Sequence, residues 1–273
     1  MQSAGLITKG KKGGLHRQRR ERKPMAGMML HQDGSTHLWI PALGYNLDLI
    51  VTMDDATSTI TSAFFVEQEG TESSLRGIKE TIMRHGLFCS FYTDRGSHYA
   101  YTPVAGGKVD KSVVTQVQRA LKQLGIRHIA AYSPQARGRS ERMFGTLQGR
   151  LPKEIAFHGI QTMEAANHYL QDEFIARFNA EFAIEPKIPQ SAYIPWNGHN
   201  LDDILCIQED RVVQKDNTVR YNSLILQIPP NAHRHHYVKA EVEVHAYLNK
   251  TIGIFYGHQN IGYYNSRGEL LYA

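Results

Sequence analysis

Between Ile126 and Ile155 the sequence changes period, and that change limits the architectures open to the chain. The short apolar run Ile126 to Ala131 meets Tyr132-Ser133-Pro134. Pro134 lacks the N–H that a buried sheet ladder or a helix interior requires, so the chain turns there. Past Gly138, Phe144, Leu147, Leu151 and Ile155 recur at steps of three and four, the spacing of one buried helical stripe. A strand, a turn and a long amphipathic helix in succession belong to mixed α/β layers. Pro152 predicts a kink or an end of that helix near Gly149.

The surrounding sequence supplies the other layers. Three strand-like runs follow one another: Met28 to His31 leading into Asp33, Asp48 to Met53, and Thr57 to Val66, with Asp54-Asp55 as a hairpin turn. A helix is predicted from Thr71 as N-cap, with Leu75, Ile78 and Ile82 on one face and Gly86 as its stop. Leu87 to Thr93 forms a buried strand carrying Cys89 and ending at Asp94, and the Pro- and Gly-containing stretch up to Asp110 is a loop. Asp110 caps a helix whose Val114, Val117, Leu121 and Leu124 face inward. Thr162 opens another, with Met163, Ala166, Leu170, Phe174, Phe178 and Phe182 as a core stripe.

Pro186, Pro189 and Pro195 mark a linker. Beyond it the runs Arg211 to Val213, Thr218 to Leu226, Glu241 to Leu248, Thr251 to Tyr256 and Asn260 to Tyr264 predict a small all-β barrel or sandwich. The expected organisation is a basic flexible arm over 1–27, an α/β core over 28–184, a linker over 185–202 and a small β domain over 203–273.

Charge is concentrated at one end. From Lys9 to Lys23 eight Lys and Arg stand against Glu21, a net +7 that exceeds the +5 of the whole chain, so the rest is slightly acidic. With Gly10, Gly13 and Gly14 this segment predicts a mobile arm that gains affinity for nucleic acid by releasing counterions. Two cysteines are too few for a disulfide framework or a zinc module. His233, His235 and His236, without Cys partners or a set spacing, form a solvated cluster. No apolar run approaches a membrane span and no signal-type hydrophobic region opens the chain, so the expected location is the cytoplasm, without a membrane partner.

Three acids stand where packing does not ask for them. Asp33 interrupts a strand in MMLHQDGSTHLWI, and Asp94 ends the strand in LFCSFYTDRGSHY. Glu141 lies off its helix's buried stripe, on a face shared with Gly145, Gln148 and Gly149 and surrounded by Arg137, Arg139, Arg142, Arg150 and Lys153. Singly, Asp94 is a turn residue and Glu141 a salt-bridged surface group. Together, a strand Asp, a strand-end Asp and a helical Glu are hard to obtain by accident. Asp54 and Asp55 are the alternative for the first position, but a turn acid needs no functional reason and a strand-interior acid does.

With those residues identified, the chain resembles the DDE transposases of the retroviral-integrase-like, ribonuclease-H-like superfamily. Asp33 in HQDGS, Asp94 in YTDRGS and Glu141 in YSPQARGRSER match its three acids. RRERKPMAGMMLHQDGSTHLW, MDDAT and the long gap between the second Asp and the Glu are similar to the ISNCY type of insertion-sequence transposase, over residues 15 to 196.

The resemblance implies a fold, α/β, with a ribonuclease-H-like integrase catalytic core and a small C-terminal all-β, barrel-like domain. It implies a DNA transposase performing strand cleavage and strand transfer of an insertion sequence, as a Mg²⁺-dependent polynucleotidyl transferase. Asp33, Asp94 and Glu141 would then be both catalytic residues and ligands of Mg²⁺ or Mn²⁺, as two ions. The partners implied are transposon-end and target DNA, with a homo-oligomer assembled on it. DNA contacts fall to Arg17, Arg19 and Arg20 in the arm and to Arg137, Arg139, Arg142, Arg150 and Lys153 beside Glu141, gripping phosphates without reading bases.

Two departures accompany the resemblance. Many related enzymes have Lys or Arg seven residues after the Glu, where this chain has Gln148, and no helix-turn-helix precedes Met28. The competing expectation is a catalytically silent remnant that binds DNA or interferes with a full-length enzyme. A ribonuclease H-type nuclease fits the acids but leaves the basic arm and β tail without a role.

Overall fold

The structure is a computed structural model that describes residues 21–103, 110, 112–131, 138–198, 200–230 and 234–272. Arg17, Arg19, Arg20 and Arg137, and with them His233, lie outside the described residues.

Three runs form an antiparallel meander, the polar β1 (Leu30–His37) and then β2 (Leu47–Asp54) and β3 (Ile60–Val66), the last two rich in β-branched or aromatic residues. The chain then crosses through α1 (Thr71–His85) to β4 (Ser90–Thr93), and through α2 (Gln116–Gln123) to β5 (Arg127–Ala130). Both late strands run parallel to β1, which gives the sheet order β3-β2-β1-β4-β5. β1 is therefore central, and Asp33 sits in its interior with Val51 of β2 as its cross-strand partner.

Helices cover both faces. α3 (Gly138–Phe157), then α4 (Met163–Tyr169), a π-helical turn (Leu170–Phe174) and α5 (Ile175–Phe182) pack on one side. There Phe144, Leu147, Leu151 and Ile155 meet Leu49, Val51, Met53, Phe65, Phe174 and Phe178 in one core. On the other side Leu75, Ile78 and Ile82 of α1 and Val117 and Leu121 of α2 pack with Leu30, Phe91 and Tyr99. The outer strand β3 is closed off by side chains, because Asn179 Oδ1 accepts from Ile60 N at 2.8 Å and Asn167 Oδ1 from Phe65 N at 2.7 Å.

Several local expectations are corrected. α3 does not end at Pro152 but continues to Phe157, since its apolar stripe is fully packed on either side of the proline. The N-cap of α1 is Gly70, one residue before the predicted Thr71. Thr115, not Asp110, caps α2: Thr115 Oγ1 accepts from Gln118 N at 3.2 Å and Gln118 Oε1 accepts from Thr115 N at 3.1 Å. Asp110 instead turns onto Ser112, and Val114, expected inside, is exposed. Cys89 is exposed and precedes β4 rather than lying within it.

The Pro-rich stretch lies on the core. Leu87 and Ile194 exchange backbone hydrogen bonds of 2.7 and 3.0 Å, and the chain passes Gly86 so closely that a Cβ there would sit 2.4 Å from Ile194 O. After α6 (Leu201–Ile204) comes an antiparallel sheet of β6 (Ile207–Val212), β9 (Glu241–Ala246), β10 (Ile252–Tyr256), β11 (Gln259–Tyr264) and β12 (Leu270–Tyr272). The hairpin β7 (Thr218–Tyr221) and β8 (Leu224–Gln227) buries Val219, Tyr221 and Leu226 against Val242, Val244, Ile254 and Ile261. β12 was not foreseen, because its Leu270, Leu271 and Tyr272 are all exposed and show no alternation. Arg119 of α2 donates to the carbonyls of Ile204 and Cys206 at 3.0 and 2.6 Å, tying this sheet to the core.

Candidate active site

The parallel register of β1 and β4 brings two of the three expected acids side by side. Leu30 pairs with Phe91 and His31 with Tyr92, so two residues further on Asp33 is level with Asp94, just beyond the end of β4. Both line one small cavity, of about 10 Å³, together with His31, Gln32, Tyr92, Thr93 and Ser140. That volume is on the scale of a single water or ion.

Local geometry fixes each acid. Asp94 Oδ1 accepts from Gly96 N at 2.8 Å, and a Cβ on Gly96 would stand 3.1 Å from that oxygen and 2.9 Å from the His98 ring, so the turn is closely packed at this glycine. Beside Asp33, a Cβ on Gly34 would fall 2.3 Å from Glu69 Oε2. The missing side chain thus admits another carboxylate to the flank of β1.

Glu141 occupies the first turn of α3 and is exposed, one residue from Ser140 in the cavity wall. Among the described residues no three His, Cys, Asp or Glu side chains are gathered closely enough to hold a metal ion. The structure therefore joins Asp33 to Asp94 in one cavity and leaves Glu141, next to the cavity-lining Ser140 in sequence, outside any three-acid cluster among the described residues. Gln148, further along the same helix, donates to Ser35 Oγ on β1 at 3.1 Å.

Asp54 ends β2 and Asp55 opens the β2–β3 turn and, unlike ordinary turn acids, both are completely buried. Asp54 Oδ2 accepts from Gly27 N at 2.7 Å, and its Oδ1 from Ala56 N at 2.8 Å. Asp55 Oδ1 is 2.7 Å from His31 Nε2 and also receives Arg139 Nη1. Neither reaches the cavity of Asp33 and Asp94.

The basic residues near Glu141 separate into two groups. Arg139 is engaged with Asp55, and Arg150 makes a two-pronged pair with Glu181 at 2.7 and 2.9 Å. Arg142 and Lys153 extend exposed from α3.

Two residues absent from the sequence expectations support this site. Tyr99, in the stretch expected to be only a loop, is buried, and its hydroxyl donates to Gln32 Oε1 at 2.8 Å. Burial pushes the Tyr99 phenol well above its ordinary range, and the carboxylates of Glu69, Asp94 and Asp33 push it further. His128 Nε2 lies 2.9 Å from Thr93 Oγ1, and burial lowers its pKa to about 4, so the imidazole beside the Asp94 turn is neutral. The signal for Tyr99 was present in its two aromatic neighbours, Tyr101 and His98, but nothing in spacing alone directs it inward.

An antiparallel meander extended by two parallel strands, flanked by helices and carrying two level aspartates at its centre, defines the retroviral-integrase-like class of ribonuclease-H-like folds. No family model matches the chain. It is 32% identical over 267 residues to the putative transposase y4bF of Sinorhizobium fredii, covering 96% of this chain and 57% of that protein. It is 32% identical over 204 residues to the transposase for insertion sequence IS1202 of Streptococcus pneumoniae, covering 75% and 43%. The chain thus spans about half the length of the curated relatives it matches. Among solved structures, the simian T-cell lymphotropic virus intasome in complex with PP2A regulatory subunit B56 gamma superposes with a TM-score of 0.51 at 14% identity, over 93% of this chain and 77% of that one, a likeness of fold. The chain is thus related in sequence to these two transposases and shares the fold of the integrase cores.

Proposed function

We propose that this chain carries the catalytic core of a DNA transposase that cleaves and joins strands with the help of divalent cations. The observation that carries the reading is the shared cavity of Asp33, inside β1, and Asp94, just past the end of the parallel β4, beside the first turn of α3. Its substrates are transposon-end and target DNA, its copies assemble on that DNA, and it works in the bacterial cytoplasm. Among the described residues no helix is long and apolar enough to cross a membrane.

The donor set fits a hard cation. Asp33 and Asp94 offer carboxylate oxygens to one cavity, and Glu141 is the nearest further acid on the helix that walls it. Bound there, Mg²⁺ or Mn²⁺ supplies Lewis-acid activation of an attacking oxygen and charge neutralisation on a leaving one. In strand transfer a DNA 3′-hydroxyl oxygen bonds to a target phosphorus and the bond from that phosphorus to its own 3′-oxygen breaks. The attacking hydroxyl gives its proton to water, and the departing oxygen takes one up. Asp33 and Asp94 hold the charge-bearing centre of this exchange, while Arg142, Lys153 and the basic arm carry phosphate contacts.

The deciding assay joins pre-cleaved oligonucleotide ends to plasmid in Mn²⁺, with wild type beside Asp94→Asn and Glu141→Gln. Product from wild type alone supports the reading. Undiminished product from Asp94→Asn sinks it. Intact DNA binding with no product from wild type favours the non-catalytic, DNA-binding alternative.

A further inference from the structure

We propose that Asp55 is a positioning residue that locks the first turn of α3, and Glu141 with it, to the strand carrying Asp33. The inference rests on the catalytic reading above for its functional consequence, though not for the lock itself. Asp55 is fully buried at the β2–β3 turn, and three separate segments converge on its carboxylate. His31 of β1 stands 2.7 Å from Oδ1, Arg139 of α3 reaches the same oxygen, and Lys23 N donates to Oδ2 at 2.7 Å. The backbone is held too: Asp55 N donates to Met29 O at 2.9 Å, and Arg22 Nη1 donates to Asp55 O at 2.9 Å.

The sequence positions of these partners carry the functional meaning. His31 precedes Asp33 by two residues and Arg139 precedes Glu141 by two, so one carboxylate touches both acid-bearing elements at the same remove. Two residues along an α-helix rotate a side chain by about 200°. Pinning Arg139 against Asp55 therefore sets the rotation of the turn from which Glu141 projects. That turn needs an anchor, because the first residues of a helix have no preceding turn to bond to, and the apolar stripe of α3 begins only at Met143 and Phe144. Arg139 is accordingly assigned to the protein interior, not to a DNA phosphate.

The test compares the wild-type chain with Arg139→Ala, Arg139→Lys and Asp55→Asn. Two quantities are read: hydrogen exchange at the amides of residues 142 to 145, and the strand-transfer rate at saturating pre-cleaved DNA. Arg139→Ala leaves His31 and Lys23 on Asp55, so the fold is retained. It should speed exchange in that turn by about 10-fold or more and lower the saturated rate by about 10- to 100-fold, with DNA affinity unchanged. Arg139→Lys, which restores a charge opposite Asp55, should recover part of both. Unchanged exchange in both Arg139→Ala and Asp55→Asn overturns the lock. Weakened DNA binding with an unchanged saturated rate also overturns it, returning Arg139 to phosphate contact. If wild type itself transfers no strand, the catalytic reading fails, while the exchange data still decide whether Asp55 holds α3.

Discussion

The Tyr99 hydroxyl donates to Gln32 Oε1 at 2.8 Å, and Gln32 Nε2 donates in turn to Thr52 Oγ1 at 2.9 Å. A residue from the segment after β4 thus braces β1 one position before Asp33. Tyr99→Phe keeps the ring in its core and leaves Gln32 Oε1 without this donor. It should destabilise the fold by about 1–2 kcal/mol, seen as a lower urea midpoint at constant slope. An unchanged midpoint would mean that water replaces the hydroxyl.

Mn²⁺ should stabilise wild type in step with the logarithm of its concentration, by about 2.7 kcal/mol at 100 times the dissociation constant, and so raise its unfolding temperature. Asp33→Asn removes one of the two carboxylates that share the cavity and should abolish the shift. Calorimetry with and without the metal reads it directly, and an equal shift in the variant would locate metal binding elsewhere.

His128 makes stability fall in mild acid. Its pKa is 6.5 as an ordinary imidazole and about 4 in the fold. Between those values the unfolded chain binds the extra proton and the folded one does not. The stabilisation is therefore complete above pH 6.5 and is lost as pH falls toward 4, by on the order of 3 kcal/mol at most. His128→Gln retains a polar partner for Thr93 and should flatten the urea midpoint over that interval. A slope identical to wild type would assign the acid sensitivity to other groups.

Removing residues 1–20 deletes six Lys and Arg while sparing Arg22 and Lys23, whose contacts with Asp55 belong to the folded core. DNA affinity should drop similarly for all sequences. The slope of log affinity against log salt should become shallower, by up to about 5 if each cation neutralises one phosphate. A slope equal to that of the full chain would take the arm out of the DNA interface.

The element order was legible because periodicity reports it directly: the meander, both crossovers and the buried stripe of α3 follow in the expected order, although β1 runs on to His37 and α2 begins only at Gln116. Asp33 and Asp94 could be singled out because a strand interior and a strand end are odd places for an acid. Asp55 could not be understood the same way. Its turn position is a sufficient local explanation, and its burial arises only when β1, α3 and the segment before β1 converge, a tertiary fact with no short-range signature. Arg139 and Arg150 show the same limit. A cation beside Glu141 suggests phosphate, yet their partners Asp55 and Glu181 are 84 and 31 residues away. Pro152 does not end α3, one of the two outcomes expected of it, since propensity yields to a helix packed along its length.

The parallel pairing of β1 with β4 has a consequence in time. Asp33, Asp94 and Glu141 leave the ribosome in that order, and synthesis at roughly 5–20 residues per second separates the first from the last by about 5 to 20 s. During that interval the meander can fold on local contacts, but its central strand carries Asp33 before β4 and Asp94 have been made. On the proposed reading the three acids can therefore converge only after β4 and the helix that bears Glu141 have been made, so any action on DNA waits for nearly the whole core to be synthesised.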